Sequence, residues 1–316
     1  MSEATLEMLS SKKAKAEELF NLGVEQYKNS NFIEANDLYE QALEIFQTLD
    51  DFFWLGRSLN AIGLANYYYS QEPISEDLKQ KSVKKATTSY KNAIVFFQKA
   101  NERKRQAVAY INLGLIYELA RKNQKVIEVY QKAISIFEKI SEVQEIASTF
   151  LKIARFYRRL DNYSEALPFY QKSQNLFQDI KNPEGEALVL EEIGSIYVML
   201  KSYSEAFRTY QDALEIFKSL NINEAQVNVL IGIGDLYFAQ AEEIREQSQF
   251  FENEKAFEKY HQSLNFFYNA LSIASTSELR RGAAIGIQKA AEMIERLFLP
   301  PAESDGQSPP IVTGDP

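Results

Sequence analysis

The chain has 316 residues, a formal net charge of −9, 45% hydrophobic and 25% charged residues, and no cysteine. The acidic balance argues against nucleic-acid binding, which needs a basic surface, and the lack of cysteine excludes disulfides, zinc–thiolate sites and cysteine nucleophiles. Glycine and proline are few, which favours long helices over strands. The first twenty residues are polar and no apolar run reaches the roughly 18–20 residues that span a bilayer, so we expect a cytoplasmic protein without a membrane span.

Six segments along the chain place a small residue among apolar and aromatic positions. The small residues are Gly23, Gly63, Gly114, Ala154, Gly194 and Gly234, at steps of 40, 51, 40, 40 and 40 residues. After each one, a second segment carries apolar residues at i, i+3, i+4 and i+7, which is the spacing of an amphipathic helix. Polar turns such as KNSN, RKNQ and RLDN separate the two segments, and Ser164 and Ser204 stand where helix N-caps are expected. Each unit is therefore predicted to be a helical hairpin.

In chain order, we expect a leader at 1–15 and hairpin units near 16–49, 56–100, 107–140, 147–180, 187–220 and 227–275. A capping helix at 278–298 completes a solenoid over 16–298, and the Pro-, Gly- and Ser-rich stretch 299–316 is predicted to be a disordered tail. Two units carry insertions, of eleven residues within 67–83 and of seventeen within 239–259. We expect each insertion to lengthen both helices of its hairpin, either covering a neighbouring unit or enlarging a binding edge.

These segments resemble the tetratricopeptide repeat (TPR) family, whose motif carries Leu-Gly-x-x-Tyr early in the repeat and Ala, an aromatic residue and Ala later. The early motif stands at Leu113, Gly114 and Tyr117. The later motif stands at Ala206, Tyr210 and Ala213. The 40-residue unit is similar to the kinesin light chain subgroup and to bacterial TPR arrays. The resemblance implies an all-α, right-handed α-solenoid of about six hairpins plus a C-terminal capping helix.

Residues suited to catalysis or metal binding are sparse. His261 is the only histidine, and Gly232 and Gly234 lack the third glycine and the preceding strand of a dinucleotide-binding loop. Carboxylates follow the solvated helix faces, and no Walker motif, nucleophile elbow or HExxH sequence is present. We therefore expect neither an enzyme nor a cofactor or metal site.

Ligands of TPR proteins usually lie along a concave groove lined by the first helix of each hairpin, so the resemblance implies a binding groove here. Together with the amide Asn112, the groove positions are Asn60, Leu64, Tyr67, Tyr68, Ile111, Leu115, Glu118, Arg155, Arg158, Arg159 and Glu191. The two asparagines are expected to hydrogen-bond the backbone of an extended peptide. The first half of the groove is apolar and aromatic and the middle is basic, which suits a peptide with apolar anchors and an acidic group.

Two features of this surface leave alternatives open. The arginines either bind a ligand or form ion pairs between helices, Arg158 with Glu118 and Arg155 with Glu191. Trp54, the only tryptophan, either packs against the leader helix or offers an exposed contact.

The predicted function is a non-catalytic scaffold or adaptor that binds a protein or peptide partner in the groove, with no nucleic acid. The alternative is an assembly or regulatory factor, similar to the TPR assembly factor of photosystem I or to a regulator of an effector on another chain. The carboxylate clamp of the family's chaperone-binding members is disfavoured, because Phe20, Val24 and Leu115 stand where that clamp has Lys or Asn. The residues indicate no particular oligomeric state.

Overall fold

The computed structural model describes residues 3–247 and 253–298, and the side chains of 7–247 and 253–297. Within these ranges the chain forms thirteen α-helices and no strand, which confirms the predicted all-α class. They are α1 (Glu3–Lys28), α2 (Phe32–Thr48), α3 (Phe52–Tyr69), α4 (Glu76–Lys99), α5 (Arg103–Leu119), α6 (Asn123–Lys139), α7 (Val143–Arg159), α8 (Tyr163–Asp179), α9 (Pro183–Met199), α10 (Tyr203–Ser219), α11 (Asn223–Gln247), α12 (Asn253–Ile273) and α13 (Ser277–Phe298). The predicted tail at 299–316 lies outside the described residues.

The helices belong to two compact units, which we call the first unit (residues 1–189) and the second unit (residues 190–316). In the first unit, α1 to α8 pack as four consecutive hairpins, and α9 begins there. In the second unit, α11 pairs with α12, and α13 packs against both. The architecture is an all-α solenoid of helical repeats, as predicted.

In the five repeats whose small residue is glycine, that glycine lies against an aromatic ring from the second helix of its hairpin. A Cβ atom added at Gly63 would lie 2.8 Å from Cε1 of Tyr90, and one added at Gly194 would lie 2.7 Å from Cε1 of Tyr210. Both rings are almost completely buried. The helices of these hairpins therefore approach so closely that only a residue without a side chain fits at the contact.

Three-residue turns join most of the helices, and in every such turn from α1 to α11 the middle residue has a left-handed backbone. From Asn101 to Asn221 these middle residues follow at intervals of 20, with φ between 53° and 58°. After α7, the amide of Asn162 donates to the carbonyl of Tyr157 and the amide of Asp161 to that of Arg158. This is the Schellman arrangement, formed here without glycine.

The turns also correct the predicted helix starts. The N-cap of α8 is Asn162, whose side chain accepts a hydrogen bond from the amide of Glu165, and the N-cap of α10 is Ser202. Ser164 and Ser204 instead lie inside the first turn of their helices. The predicted caps were wrong by two residues, because each of these turns ends one residue after its left-handed residue and the helix begins at once.

The two insertions act differently. The first insertion lengthens α4 to 24 residues while α3 has 18, close to the 17 residues of α6, so the expectation that both helices grow was wrong there. The other inserted residues lie in the six-residue connection 70–75 between α3 and α4. Around the second insertion α11 has 25 residues and α12 has 21, so both are long, and residues 248–252 between them lie outside the described residues.

Candidate functional site

The first unit contains a cavity of about 660 Å³ between the first helices of three consecutive hairpins, α1, α3 and α5. Its apolar and aromatic lining is Phe20, Val24, Tyr27, Tyr39, Ala61, Leu64, Phe97 and Val108, and its charged lining is Lys28, Arg57, Glu102, Lys104 and Arg105. Residues three or four apart share one helix face, which is why Arg57, Asn60 and Leu64 of α3 meet the cavity together. Two of the predicted groove residues, Asn60 and Leu64, therefore line a real concavity.

Arg57 lies on aromatic rings at the edge of this cavity. Its Cζ atom is 4.3 Å from the ring centroid of Trp54 and 4.8 Å from that of Phe20. Burial and the charge of Arg105 lower the pKa of Arg57, and the charge of Glu17 opposes them. Arg57 stands six residues before Gly63, at a position expected to line the groove, and its support by aromatic rings becomes visible only in the fold.

Trp54 packs inside the first unit. Its ring stacks on that of Phe46 of α2 at a centroid distance of 4.9 Å and meets that of Phe20 of α1 edge-on at 5.3 Å. Trp54 therefore packs, as one alternative expected, but its ring partners Phe20 and Phe46 lie on the two helices of the first hairpin rather than in the leader at 1–15.

The two asparagines expected to bind a peptide backbone are hydrogen-bonded to each other. Nδ2 of Asn112 on α5 donates to Oδ1 of Asn60 on α3 at 3.2 Å. Both side chains are partly exposed. In the described part of the chain, Nδ2 of Asn60 and Oδ1 of Asn112 have no hydrogen-bond partner, so the pair keeps a donor nitrogen and an acceptor oxygen available.

The predicted groove residues Ile111 and Leu115 lie on the same helix as Asn112. Ile111 is 8% exposed and belongs to the hydrophobic core of the first unit. Leu115 is partly exposed.

An aromatic cluster forms where α1, α2 and α3 meet. The ring of Tyr68, 42% exposed, stacks on Phe32 at 5.8 Å and meets Tyr67 and Tyr27 edge-on at 5.2 and 5.7 Å. Burial is the main cause of the raised pKa of Tyr67, with Tyr68 adding to it. The predicted groove residues Tyr67 and Tyr68 thus contact each other, and Tyr68 stays exposed in part.

Glu118 joins three helices at the basic part of the predicted groove. It accepts a hydrogen bond from Oη of Tyr130 on α6 at 2.5 Å and forms an ion pair with Arg159 on α7. Its side chain is 13% exposed, so burial raises the pKa of Glu118, while the bond from Tyr130 and the charges of Arg159 and Lys152 lower it. The predicted partner of Glu118 was Arg158. The structure places Arg159 there, because successive residues of a helix point about 100° apart.

Lys152 was not among the predicted groove residues. It lies two residues before the small residue Ala154, which is not one of the positions that line the groove in TPR repeats. Burial, followed by the charge of Arg155, lowers the pKa of this lysine, and the carboxylate of Glu118 opposes them. Arg155 and Arg158 are exposed on α7. Glu191 lies on the part of α9 that belongs to the second unit, and its pairing with Arg155 stays a prediction.

The described ranges, 3–247 and 253–298, hold neither a cluster of metal ligands nor a membrane-spanning helix. No three or more His, Cys, Asp or Glu side chains of these ranges are grouped as metal ligands. None of the helices described there combines the length and the apolar character needed to cross a membrane.

Two family models match this chain. The model "Tetratricopeptide repeat" matches residues 145–219, and the model "Soluble NSF attachment protein, SNAP" matches residues 1–175. Together with the helical hairpins, the first match defines the class: the chain is a tetratricopeptide-repeat protein. Because the second model covers more than half of the chain, the chain belongs to the soluble NSF attachment protein (SNAP) family. No curated protein matches the sequence.

Solved structures with the same fold come from several proteins. Aspartyl phosphate phosphatase F from Bacillus subtilis superposes with a TM-score of 0.59 at 13% identity, covering 93% of this chain and 73% of that one. A Rap protein in complex with competence and sporulation factor gives 0.51 at 13%, covering 88% and 74%. A kinesin light chain from Podosopora anserina with TPR-like repeats gives 0.52 at 15%, covering 66% and 97%. At these identities the likeness shows the fold alone.

Proposed function

We propose that this protein is a non-catalytic cytoplasmic scaffold or adaptor that holds a segment of a partner protein in the groove of its first unit. The observation that carries the proposal is the cavity of about 660 Å³ between α1, α3 and α5, on the helices that line the groove of TPR repeats. A concave, largely apolar site with a few placed polar groups is the usual form of a binding site.

The cavity offers contacts of two kinds. Leu64 and Val108 are partly exposed apolar residues in its lining and suit an apolar anchor of the partner. Asn60 lines the cavity and Asn112 is hydrogen-bonded to it, and the remaining donor on Asn60 and acceptor on Asn112 match the C=O and N–H groups of an extended backbone. The aromatic cluster around Tyr68 and the basic residues of α7 are proposed to continue this surface.

Positioning, rather than catalysis, is the role we assign to the ionisable groups of the groove. The carboxylate of Glu118 is largely buried and is held by Tyr130 and Arg159. It therefore serves to fix three helices together. The family name refers to attachment to NSF, and one structural neighbour was solved with competence and sporulation factor. Both support binding of another protein or factor, and they leave an assembly or regulatory role as the alternative form of the same proposal.

Site-specific photo-crosslinking tests this proposal. A photo-reactive amino acid at Leu64 is expected to crosslink one defined segment of a partner, whereas the same residue at Lys91, exposed on α4, is not. A synthetic peptide of that segment is then expected to bind the Leu64→Asp variant about 10- to 100-fold more weakly, because an apolar contact is replaced by a charge. The matched variant Lys91→Asp is expected to bind normally. Equal crosslinking from both positions would refute the proposal.

A further inference from the structure

We infer that the cavity of the first unit recognises a carboxylate of the partner segment that adjoins a bulky apolar side chain, and that Arg57 binds this carboxylate. The inference rests on the proposed function and adds the chemistry that the partner presents. It moves the acidic anchor from the arginines of α7, where the sequence analysis placed it, to the opposite end of the groove.

The Arg57 side chain is held at the cavity edge by aromatic rings. Its guanidinium lies over Trp54 at 4.3 Å and over Phe20 at 4.8 Å, and these cation–π contacts restrain its position. Among the described residues it makes no hydrogen bond and no ion pair. A planar group with five N–H donors, held in place and without an acceptor, is suited to bidentate binding of a carboxylate.

The lining of the cavity carries more positive than negative side chains. Four cations and one carboxylate line the cavity of a chain whose net charge is negative. Arg105 lies 3.3 Å from that carboxylate, Glu102, and Lys104 lies 3.1 Å from Glu142. Lys28 and Arg57 have no such acidic partner in the described part, although the charge of Glu17 reaches Arg57. The cavity therefore complements a negative charge.

Apolar residues line the cavity beside Arg57. Phe20, Val24, Leu64 and Val108 line the same cavity, so an anion held by Arg57 lies beside an apolar surface. A free inorganic anion would leave that apolar surface uncovered. A partner segment with a carboxylate next to a Leu, Ile or Phe side chain would contact both Arg57 and the apolar surface. By contrast, Arg159 of α7 is already neutralised by Glu118.

Selection from displayed random peptides on the purified full chain tests the inference. One library presents free C-termini and the other joins the C-terminus to the coat protein. Enriched peptides are expected to carry a carboxylate next to a bulky apolar residue. Enrichment in both libraries assigns the carboxylate to Asp or Glu, and enrichment only in the first assigns it to the chain terminus.

The variant Arg57→Met keeps an unbranched apolar stem over the rings and removes the charge. The selected peptides are expected to bind this variant about 10- to 100-fold more weakly than the wild type. Arg57→Lys keeps the charge but loses the bidentate guanidinium, so its affinity is expected to lie between those of the wild type and Arg57→Met. The control Arg103→Met changes an exposed arginine of α5 outside the cavity lining and is expected to bind normally. Circular dichroism checks that each variant is folded.

Peptides without a carboxylate, or equal affinities for the Arg57→Met and Arg103→Met variants, would overturn the inference and leave the proposed function standing. A wild-type chain that enriches no peptide would overturn both.

Discussion

Replacing Gly63 by Ala is expected to destabilise the first unit, although the same change in an open helix is stabilising. The added Cβ atom would lie 2.8 to 2.9 Å from three atoms of the Tyr90 ring, about 0.7 Å inside the ordinary carbon–carbon contact distance of about 3.5 Å. Tyr90 is 1% exposed, so its ring cannot move aside without separating α3 from α4. Overpacking of this kind costs about 1–3 kcal/mol, and the helix propensity of alanine returns about 1 kcal/mol. The net loss is about 0–2 kcal/mol.

Gly282 of α13 provides a matched control in the second unit. A Cβ atom there meets only Cδ1 of Ile231, the flexible end of a side chain, at 3.3 Å. Gly282→Ala is therefore expected to raise the free energy of unfolding by up to about 1 kcal/mol. Urea denaturation followed by circular dichroism measures both changes. If Gly63→Ala stabilises the chain as much as Gly282→Ala does, the close helix contact described here is wrong.

Three further predictions concern single side chains. Burial raises the native pKa of Glu118 above its ordinary value of 4.5. The free energy of unfolding is therefore expected to fall as pH rises from 4.5 through the native pKa, because the unfolded chain loses this proton first. Glu118→Gln is expected to remove this fall. Denaturation curves at a series of pH values check this, and an unchanged pH profile contradicts it. Ser58→Ala is expected to stabilise the first unit by about 1 kcal/mol, because the buried Oγ atom of Ser58 has no hydrogen-bond partner among the described residues; a lower thermal midpoint would count against this. Arg121→Gly is expected to gain up to about 1 kcal/mol by relieving a left-handed backbone (φ 53°), and Asn221→Gly, at a residue type that tolerates this conformation, is expected to gain less in the same urea titration. Equal gains would show that the turn is not strained.

The hairpins were predictable from the sequence because a short repeat leaves few packing solutions. Two 17-residue helices and two three-residue turns make up the 40-residue step, so the spacing of the small residues sets the helix pairs. The left-handed turn residues were not predictable, because Arg121 and Lys181 carry no signal for that conformation. The N-caps were misplaced for the same reason.

The site was only partly predictable. Asn60 and Leu64 follow from their offset to Gly63, since one helix face lines the groove. The support of Arg57 by rings from two helices depends on how α1 and α3 pack, which no local pattern encodes. The only sign of this support in the sequence was Trp54, the single tryptophan, three residues before Arg57. The choice of Arg159 over its neighbour as the partner of Glu118 depends on a helix rotation that a residue offset does not resolve.

Fluorescence of Trp54 tests the central claim, binding of a partner segment in the cavity of the first unit, most directly. Trp54 is the only tryptophan and its ring lies 4.3 Å from Cζ of Arg57 at the cavity edge, so excitation where tyrosine does not absorb reports on this site alone. Titration with the segment crosslinked from Leu64 is predicted to change the emission saturably, with the Kd found by calorimetry, and Leu64→Asp is predicted to weaken that response. Calorimetric binding that leaves Trp54 emission unchanged and is unaffected by Leu64→Asp would contradict the account.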